Sequence, residues 1–302
     1  MHLTPSYKSL NPAQFQEKIE ALESMLQECK LCPRKCKAKR ESGEKGFCRA
    51  GANLWISNYG AHFGEEEILV GSYGSGTIFF TWCNLRCSFC QNYDISLEGN
   101  GESVSEQQCA EIMIYLQKRG CHNINLVTPT HYTPQIVKSI KIASEKGLNI
   151  PIVWNCGGYE SFEVIRTLDK IVDIYMPDIK YSNSEAAALL SNAPDYFERC
   201  KEAIIEMYRQ VGNIQIENNI AKRGLLIRHL VLPEDLAGSE QIFMFLKNEI
   251  SPDVFINIMA QYRPYGNIPE KMGRRITINE YRNAIILARK IGLRNIIHST
   301  TF

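Results

Sequence analysis

Residues 83–90, Cys-Asn-Leu-Arg-Cys-Ser-Phe-Cys, decide the fold and the chemistry of this chain. Three cysteines lie in this stretch with the spacing C-x3-C-x2-C, and no fourth cysteine lies close by. Structural zinc sites are closed by four ligands, and ordinary cubane iron–sulfur clusters take four thiolates. Three thiolates therefore indicate a metal centre with one open corner, which can bind and activate another molecule. The alternatives are half of a zinc site or three unrelated buried thiols, since free cysteine is often a small core residue.

The cysteines follow a predicted strand, and further strands alternate with helices after them. The β-branched and aromatic run 76–82 is typical of a strand. Five more strands are predicted at 123–128, 150–155, 172–176, 225–232 and 254–259. Helical crossovers between them imply parallel pairing in right-handed βαβ units. The sequence therefore predicts an α/β fold, a partly closed barrel of six βα units, with its chemistry at the carboxyl ends of the strands.

The pattern C-x3-C-x-aromatic-C after a first strand resembles the signature of the radical S-adenosylmethionine (radical SAM) enzymes. The resemblance implies a partial (β/α)6 barrel in which Cys83, Cys87 and Cys90 hold a [4Fe–4S] cluster whose fourth iron is chelated by SAM. In that superfamily, reduction of the cluster cleaves SAM to a 5′-deoxyadenosyl radical, which abstracts hydrogen from a substrate. A low-potential electron donor of the flavodoxin or ferredoxin type is the implied partner.

Within the superfamily, the chain most resembles the pyruvate formate-lyase activating enzyme-like proteins, including a subgroup with N-terminal cysteines of the form C-x-L-C-P-R-x-C, here residues 29–36. This resemblance implies a glycine in the backbone of a glycyl radical enzyme as the substrate. A small molecule or another peptide is the alternative substrate. The alternative from another class of protein is a non-catalytic iron–sulfur or zinc protein that serves electron transfer or binding.

Charged residues at the ends of two predicted strands are candidate SAM contacts. Residues 176–180, Met-Pro-Asp-Ile-Lys, match the M-x-D-x-K pattern of the activating enzymes, in which the aspartate and lysine lie near the SAM carboxylate. A surface ion pair is the alternative for Asp178 and Lys180. Arg228 lies in an apolar run, and an arginine in a buried strand needs an anionic partner. By resemblance, that partner is the carboxylate or the ribose of SAM.

Four further SAM contacts are implied by the resemblance alone. Phe89 is the aromatic residue that lies near the adenine, and Thr128 takes the position of a Gly-Gly-Glu segment that this sequence lacks. Asn155 stands where the activating enzymes often have an aspartate, and Gln261 stands where they often have a histidine near the adenosyl group.

A second cysteine group precedes the first, with Cys29, Cys32, Cys36 and Cys48 spaced C-x2-C-x3-C-x11-C among lysines and arginines. Positive charge favours the thiolate form, and four thiolates fit either a structural zinc or a second [4Fe–4S] cluster. A redox-labile pair or no metal at all are the alternatives. We therefore expect an N-terminal helix and cysteine-rich metal-binding extension at 1–75 and a radical SAM core domain at 76–302.

Composition indicates an ordinary soluble globular protein. The chain has 302 residues, 44% of them hydrophobic and 22% charged, with a net charge of +1. This balance favours neither nucleic acid nor a membrane as partner, and no signal peptide or membrane-length apolar run is evident. We expect a cytoplasmic protein with reduced thiols. The acidic triplet 65–67 is expected to be a solvated turn, or else to lie near the active site.

Overall fold

The computed structural model describes residues 3–266 and 268–298, so both ends of the predicted division 1–75 and 76–302 lie outside the described residues. Its strands are β1 (Leu54–His62), β2 (Ser75–Phe80), β3 (Glu102–Val104), β4 (Ile124–Val127), β5 (Ile152–Cys156), β6 (Ile174–Pro177), β7 (Gln215–Glu217), β8 (Ile220–Leu230), β9 (Phe255–Met259) and β10 (Asn295–His298). Its α-helices are α1 (Pro12–Gln27), α2 (Glu67–Val70), α3 (Tyr93–Ser96), α4 (Glu106–Lys118), α5 (Thr133–Glu145), α6 (Phe162–Thr167), α7 (Ser184–Ser191), α8 (Tyr196–Val211), α9 (Ser239–Phe245), which continues as a π-helical turn (Leu246–Ile250), and α10 (Ile278–Ile291).

One mostly parallel sheet organises the fold. Its strands lie in the order β10-β9-β8-β6-β5-β4-β2-β1-β3, with β7 paired to β8, and the sheet is open. Within this order, the parallel strands are β2, β4, β5, β6, β8, β9 and β10. Their order across the sheet is the same as their order along the chain. The predicted α/β fold with a partly closed, parallel arrangement is thus confirmed.

The sheet also contains strands that the sequence did not indicate. β1 pairs antiparallel with β2 and β3, and β7 forms a hairpin with β8. The sequence does not predict β1, because this strand is exposed along much of its length and its apolar residues alternate only at its start. The proposed division at residue 75 falls inside the β1–β2 hairpin and remains a prediction.

The sheet has a different apolar layer on each face. Alternate residues of β5, β6 and β8, such as Trp154, Tyr175 and Ile227, pack beneath the long helices in the main core. The intervening residues form a small separate cluster on the other face, here called the inner face: Leu69, Val153, Ile174, Met176, Ala221 and Leu226. Leu69 comes from α2, so this short helix covers the inner face at one end of the strands. The period of two along each strand explains the separation.

Three of the long helices begin at a side-chain cap. Asn11, Ser105 and Thr277 each accept a hydrogen bond from the third residue of the helix that follows, and each forms a complete capping box. Each box satisfies backbone donors that would otherwise lack partners, which fixes where α1, α4 and α10 begin. In the described ranges, no helix is both long enough and apolar enough to cross a membrane.

Candidate active site

A cavity of about 380 Å³ lies at the carboxyl ends of the parallel strands. The loop after β2 contributes three thiols to its wall, and β4, β5, β6, β8 and β9 each contribute a polar side chain at or near their ends. The predicted site residues that line it are Cys83, Cys87, Cys90, Thr128, Asn155, Asp178, Lys180, Arg228 and Gln261. Residues up to 178 positions apart in the sequence therefore share one cavity, because parallel strands end at the same edge of a sheet.

The three thiols are held by hydrogen bonds from their surroundings. The Leu85 N–H points at Cys83 Sγ at 3.4 Å, Ser191 Oγ donates to Cys87 Sγ at 3.0 Å, and Ser96 Oγ donates to Cys90 Sγ at 3.1 Å. Burial, with the neighbouring Cys87, raises the pKa of Cys83 to about 12. Thiols in such a dry group ionise only when a cation compensates them, so metal binding and deprotonation are coupled here. Hydrogen bonds to cysteine sulfur also tune the reduction potential of an iron–sulfur centre.

A fourth cysteine, Cys156, borders the same cavity but belongs to the opposite face of the sheet. It follows Asn155 on β5, and successive side chains of a strand point to opposite faces. Cys156 belongs to the main core beneath the helices, where burial and the nearby Glu160 raise the pKa of its thiol. It is therefore no candidate for a fourth ligand, and the set remains the three thiols of residues 83–90.

Asp178 and Lys180 form an ion pair at the end of β6. Lys180 Nζ lies 2.5 Å from Asp178 Oδ2, and the two side chains are only 23% and 19% exposed for the aspartate and the lysine. Burial opposes the charge of the ammonium, but Asp178 and the thiols of Cys87 and Cys90 raise the pKa of Lys180 above its ordinary value. The alternative of a solvated surface pair is wrong, since the pair lies in the cavity wall beside the cysteines.

Arg228 has the anionic partner that its apolar surroundings require, and that partner is a pair of glutamates. The guanidinium donates to Glu66 at 2.8 and 3.0 Å and also to Glu65. Amide groups of Asn257 and Asn125 donate to Glu66 and Glu65, respectively, at 2.7 and 3.1 Å. The expectation of a solvated turn at residues 65–67 is thus wrong for its first two members, because the inner face of the sheet supplies buried donors for them.

The other predicted SAM contacts have different surroundings. Phe89 does not line the cavity, and it packs edge-on against the rings of Tyr181 and Tyr262, with centroids 6.4 and 5.8 Å away. Thr128 has a left-handed backbone with φ 59°, which is an outlier for a β-branched residue. Its N–H donates to the Asn155 carbonyl at 2.8 Å, so neighbouring strand ends hold this conformation.

Sequence reasoning missed several members of the site. His62 and Gly64 line the cavity from the end of β1. Tyr196 ties two strand ends together, with its hydroxyl 2.9 Å from the carbonyls of Gly157 and Asp178. No motif marks these residues, because none of them follows a predicted parallel strand. His62 and Gly64 lie at the end of an antiparallel strand, and Tyr196 lies at the start of α8.

The donor set and its surroundings fit a [4Fe–4S] cluster. Among the residues that the structure describes, no three His, Cys, Asp or Glu side chains converge as ligands of one metal ion. The thiols of Cys83, Cys87 and Cys90 line one cavity, and thiolates are the protein ligands of iron–sulfur clusters. Arg86 Nη1 is buried without a hydrogen-bond partner, which suits an anionic group beside the loop.

The second cysteine group lies outside this cavity. Cys29, Cys32 and Cys48 are buried and Cys36 is exposed. The Lys37 and Lys35 N–H groups donate to the carbonyls of Cys29 and Cys32, both at 3.0 Å, so the segment folds back on itself in tight turns. Whether these thiols bind a metal remains a prediction.

A second cavity of about 660 Å³ adjoins the first. The two share Gly64, Glu65 and Gln261 in their walls. The inner-face residues of β9 and β10 line the second cavity together with residues 65–68, so it lies at the open edge of the sheet. It provides space next to the site for a second molecule.

Three comparisons place the chain among known proteins. Residues 77–235 match the family model described as the radical SAM superfamily. An uncharacterized protein of Methanocaldococcus jannaschii is 32% identical over 94% of this chain and 81% of its own length. The crystal structure of HydG, a maturase of the [FeFe]-hydrogenase, aligns with a TM-score of 0.50 at 12% identity over 99% of this chain and 69% of HydG. At that identity, the likeness to HydG shows the fold alone.

Proposed function

The chain belongs to the radical SAM superfamily, and we propose that it is an enzyme that reductively cleaves S-adenosylmethionine at a [4Fe–4S] cluster bound by Cys83, Cys87 and Cys90. The observation that carries the proposal is the shared cavity, in which three thiols face the polar ends of five parallel strands. A set of three protein ligands leaves room at the cluster for one further molecule.

The charged residues of the cavity suit the two ends of the SAM methionine moiety. Lys180 is held as an ammonium beside the cysteines and can pair with a carboxylate, while Asp178 can accept from an ammonium. Arg228 is already paired with Glu65 and Glu66, so we assign it to holding that carboxylate pair at the cavity wall. When bound, the cluster supplies one electron to SAM, giving methionine and the 5′-deoxyadenosyl radical that takes hydrogen from a substrate.

The second cavity is the proposed place for the substrate, because it opens to solvent at the edge of the sheet and meets the first cavity at Gln261. The match of residues 176–180 to the M-x-D-x-K pattern of the activating enzymes makes a backbone glycine of a partner glycyl radical enzyme the first candidate. A small molecule that fits about 660 Å³ is the second candidate, favoured by the size of the cavity. The implied electron donor is a low-potential flavodoxin or ferredoxin.

The test is anaerobic reconstitution with iron and sulfide, followed by addition of SAM and dithionite. We expect 5′-deoxyadenosine and methionine in equal amounts. The matched control is Cys109→Ala, since Cys109 is buried on α4 away from both cysteine groups. Fully reconstituted protein that forms no 5′-deoxyadenosine would leave only the non-catalytic alternative.

A second experiment distinguishes the two substrates. A candidate glycyl radical enzyme is added, and an organic radical is sought by electron paramagnetic resonance. A doublet on the partner protein supports activation, whereas SAM cleavage with no radical on any candidate partner supports a small molecule.

A further inference from the structure

The segment 29–49, here called the basic segment, has a charge unlike that of the rest of the chain. It contains eight Lys and Arg and two Glu, a net charge of +6, in a chain whose total is +1. Five of its lysines are exposed: Lys30, Lys35, Lys37, Lys39 and Lys45. Exposed charge of one sign beside exposed Cys36 indicates a surface for an acidic macromolecule.

The arginines of the basic segment have another role, which is to fix it to the fold. Arg40 is 1% exposed and donates to the carbonyls of Gly51, at 3.0 Å from Nε, and His131, at 2.6 Å from Nη1. His131 follows β4 at the same edge of the sheet as the candidate site. The basic segment is therefore anchored over the strand ends and is not a free arm.

Arg34 links the basic segment to the cluster-binding loop itself. Its Nε donates to the Asn84 carbonyl at 2.6 Å, inside the C-x3-C stretch. Its Nη2 donates to the Ser191 carbonyl at 2.8 Å, and the Ser191 hydroxyl donates to Cys87 Sγ at 3.0 Å. The same guanidinium lies 3.5 Å from the ring centroid of Phe47, next to Cys48. A single side chain thus contacts both cysteine regions.

Arg86 lies within the cluster-binding loop, between Cys83 and Cys87 in the sequence. Its buried Nη1 has no partner among the described residues. A buried guanidinium nitrogen without an acceptor suits an anionic centre beside the loop.

Tight turns bring the cysteines of the basic segment back toward one another. The Cys29 N–H donates to the Ala38 carbonyl at 3.2 Å, and the Lys37 N–H donates to the Cys29 carbonyl at 3.0 Å. The place of a Cβ on Gly46 would lie 2.3 Å from Cys36 Sγ, so glycine is what admits this thiol. Four thiolates fit either a structural zinc or an iron–sulfur cluster. Only the iron–sulfur cluster can carry an electron, because zinc has no redox chemistry.

From these contacts we infer that the basic segment is the entry point for electrons: Cys29, Cys32, Cys36 and Cys48 bind a second iron–sulfur centre, and the exposed lysines dock an acidic one-electron donor protein. The inference rests on the proposed function. The donor loses one electron, the N-terminal thiols hold the centre that relays it, and SAM is the final acceptor as its C–S bond breaks.

The first test measures metal in the full chain with Cys83, Cys87 and Cys90 all changed to Ala. After anaerobic reconstitution, we expect about four irons and four sulfides per chain. Adding Cys36→Ala should remove them, and Cys36 is exposed, so this change disturbs packing least. Zinc in place of iron, or iron that survives Cys36→Ala, would overturn the inference and leave SAM cleavage by the unaltered enzyme untouched.

The second test compares two reductants with the metal-loaded enzyme. Lys35→Glu/Lys37→Glu/Lys39→Glu should raise the KM for a reduced flavodoxin about tenfold, more at low salt, while the dithionite-driven rate reports SAM cleavage separately. The matched control is Lys247→Glu/Arg282→Glu/Lys290→Glu, with the same change of charge on and beside α10.

The outcomes of the second test are distinct. An equal KM for both triple variants would refute the docking surface, whereas loss of the dithionite-driven reaction in the unaltered enzyme would refute the proposed function instead. Binding of an oligonucleotide to these lysines with no change in the donor's KM would assign the surface to nucleic acid and overturn the inference.

Discussion

Replacing Arg228 by methionine should destabilise the protein strongly. Arg228 is the only cation in direct contact with Glu65 and Glu66 among the described residues. The three side chains are 15%, 7% and 1% exposed, for Arg228, Glu65 and Glu66 respectively, so water cannot replace the guanidinium. Methionine keeps the apolar stem and removes the charge, which leaves two carboxylates facing each other with only amide donors.

The expected cost follows from this burial. Removing one partner of a buried ion pair costs about 3–5 kcal/mol, because the remaining charge stays uncompensated. For a chain of this size, that corresponds to a fall in Tm on the order of 10 °C. The matched control is Arg294→Met, since Arg294 pairs with Asp253 at the surface, with side chains 67% and 44% exposed. Surface pairs contribute about 0–1 kcal/mol.

The loss should also depend on pH. Burial alone would raise the pKa of Glu66, but Arg228 lowers it below its ordinary value of 4.5. In the unaltered protein, Glu66 therefore contributes stability above pH 4.5 that is lost as the pH falls. In Arg228→Met, the effect of burial on Glu66 dominates, so protonation of this carboxyl stabilises the folded protein. The difference between the two proteins should be largest near neutral pH and should shrink as the pH falls toward 4.5.

The assay is thermal unfolding followed by circular dichroism, on anaerobically reconstituted proteins between pH 4.5 and 8. A loss below about 1 kcal/mol for Arg228→Met, or a loss equal to that of Arg294→Met, would show that the buried network is not stabilised by its guanidinium. A loss that does not change with pH would show that the glutamates are not the groups left uncompensated.

Three further predictions follow from single residues. Cys87→Ala should abolish 5′-deoxyadenosine formation, whereas Cys109→Ala should keep it at a cost in stability of about 1–2 kcal/mol, as measured by product analysis and thermal unfolding. Lys180→Met should weaken SAM binding about 10- to 100-fold, since it removes a charged hydrogen bond, and equal SAM affinity in a titration would contradict the assignment. Burial raises the pKa of Glu160 to about 8. The folded state then holds a proton that the unfolded state releases between the ordinary value of 4.5 and about 8, so stability falls as the pH rises through that window. Glu160→Gln should flatten this dependence in unfolding experiments at pH 5, 6.5 and 8, and an unchanged slope would show that Glu160 is ionised throughout.

Local sequence patterns were sufficient to predict where several helices begin and where the buried strands lie. Cap residues mark where α1, α4 and α10 begin, and buried apolar runs mark β4, β5 and β6, because hydrogen bonding at helix ends and burial of both sheet faces act over a few residues. The spacing of residues 83–90 and the strand before them were enough to predict the family, which the match over residues 77–235 bears out.

What the sequence alone determined is the set of parts: a three-thiol loop, alternating strands and helices, and polar residues such as Asp178 and Lys180 at strand ends. Only the tertiary structure decided how they are paired. The burial of Glu65 and Glu66 depends on Arg228, which lies more than 160 residues away, and no local pattern carries the position of so distant a charge. The same holds for Arg34, whose contact with the loop after β2 exists only once α7 and β2 are brought together by the sheet. Partners of buried charges are chosen by packing in space, and for that reason they could not be read from neighbouring residues.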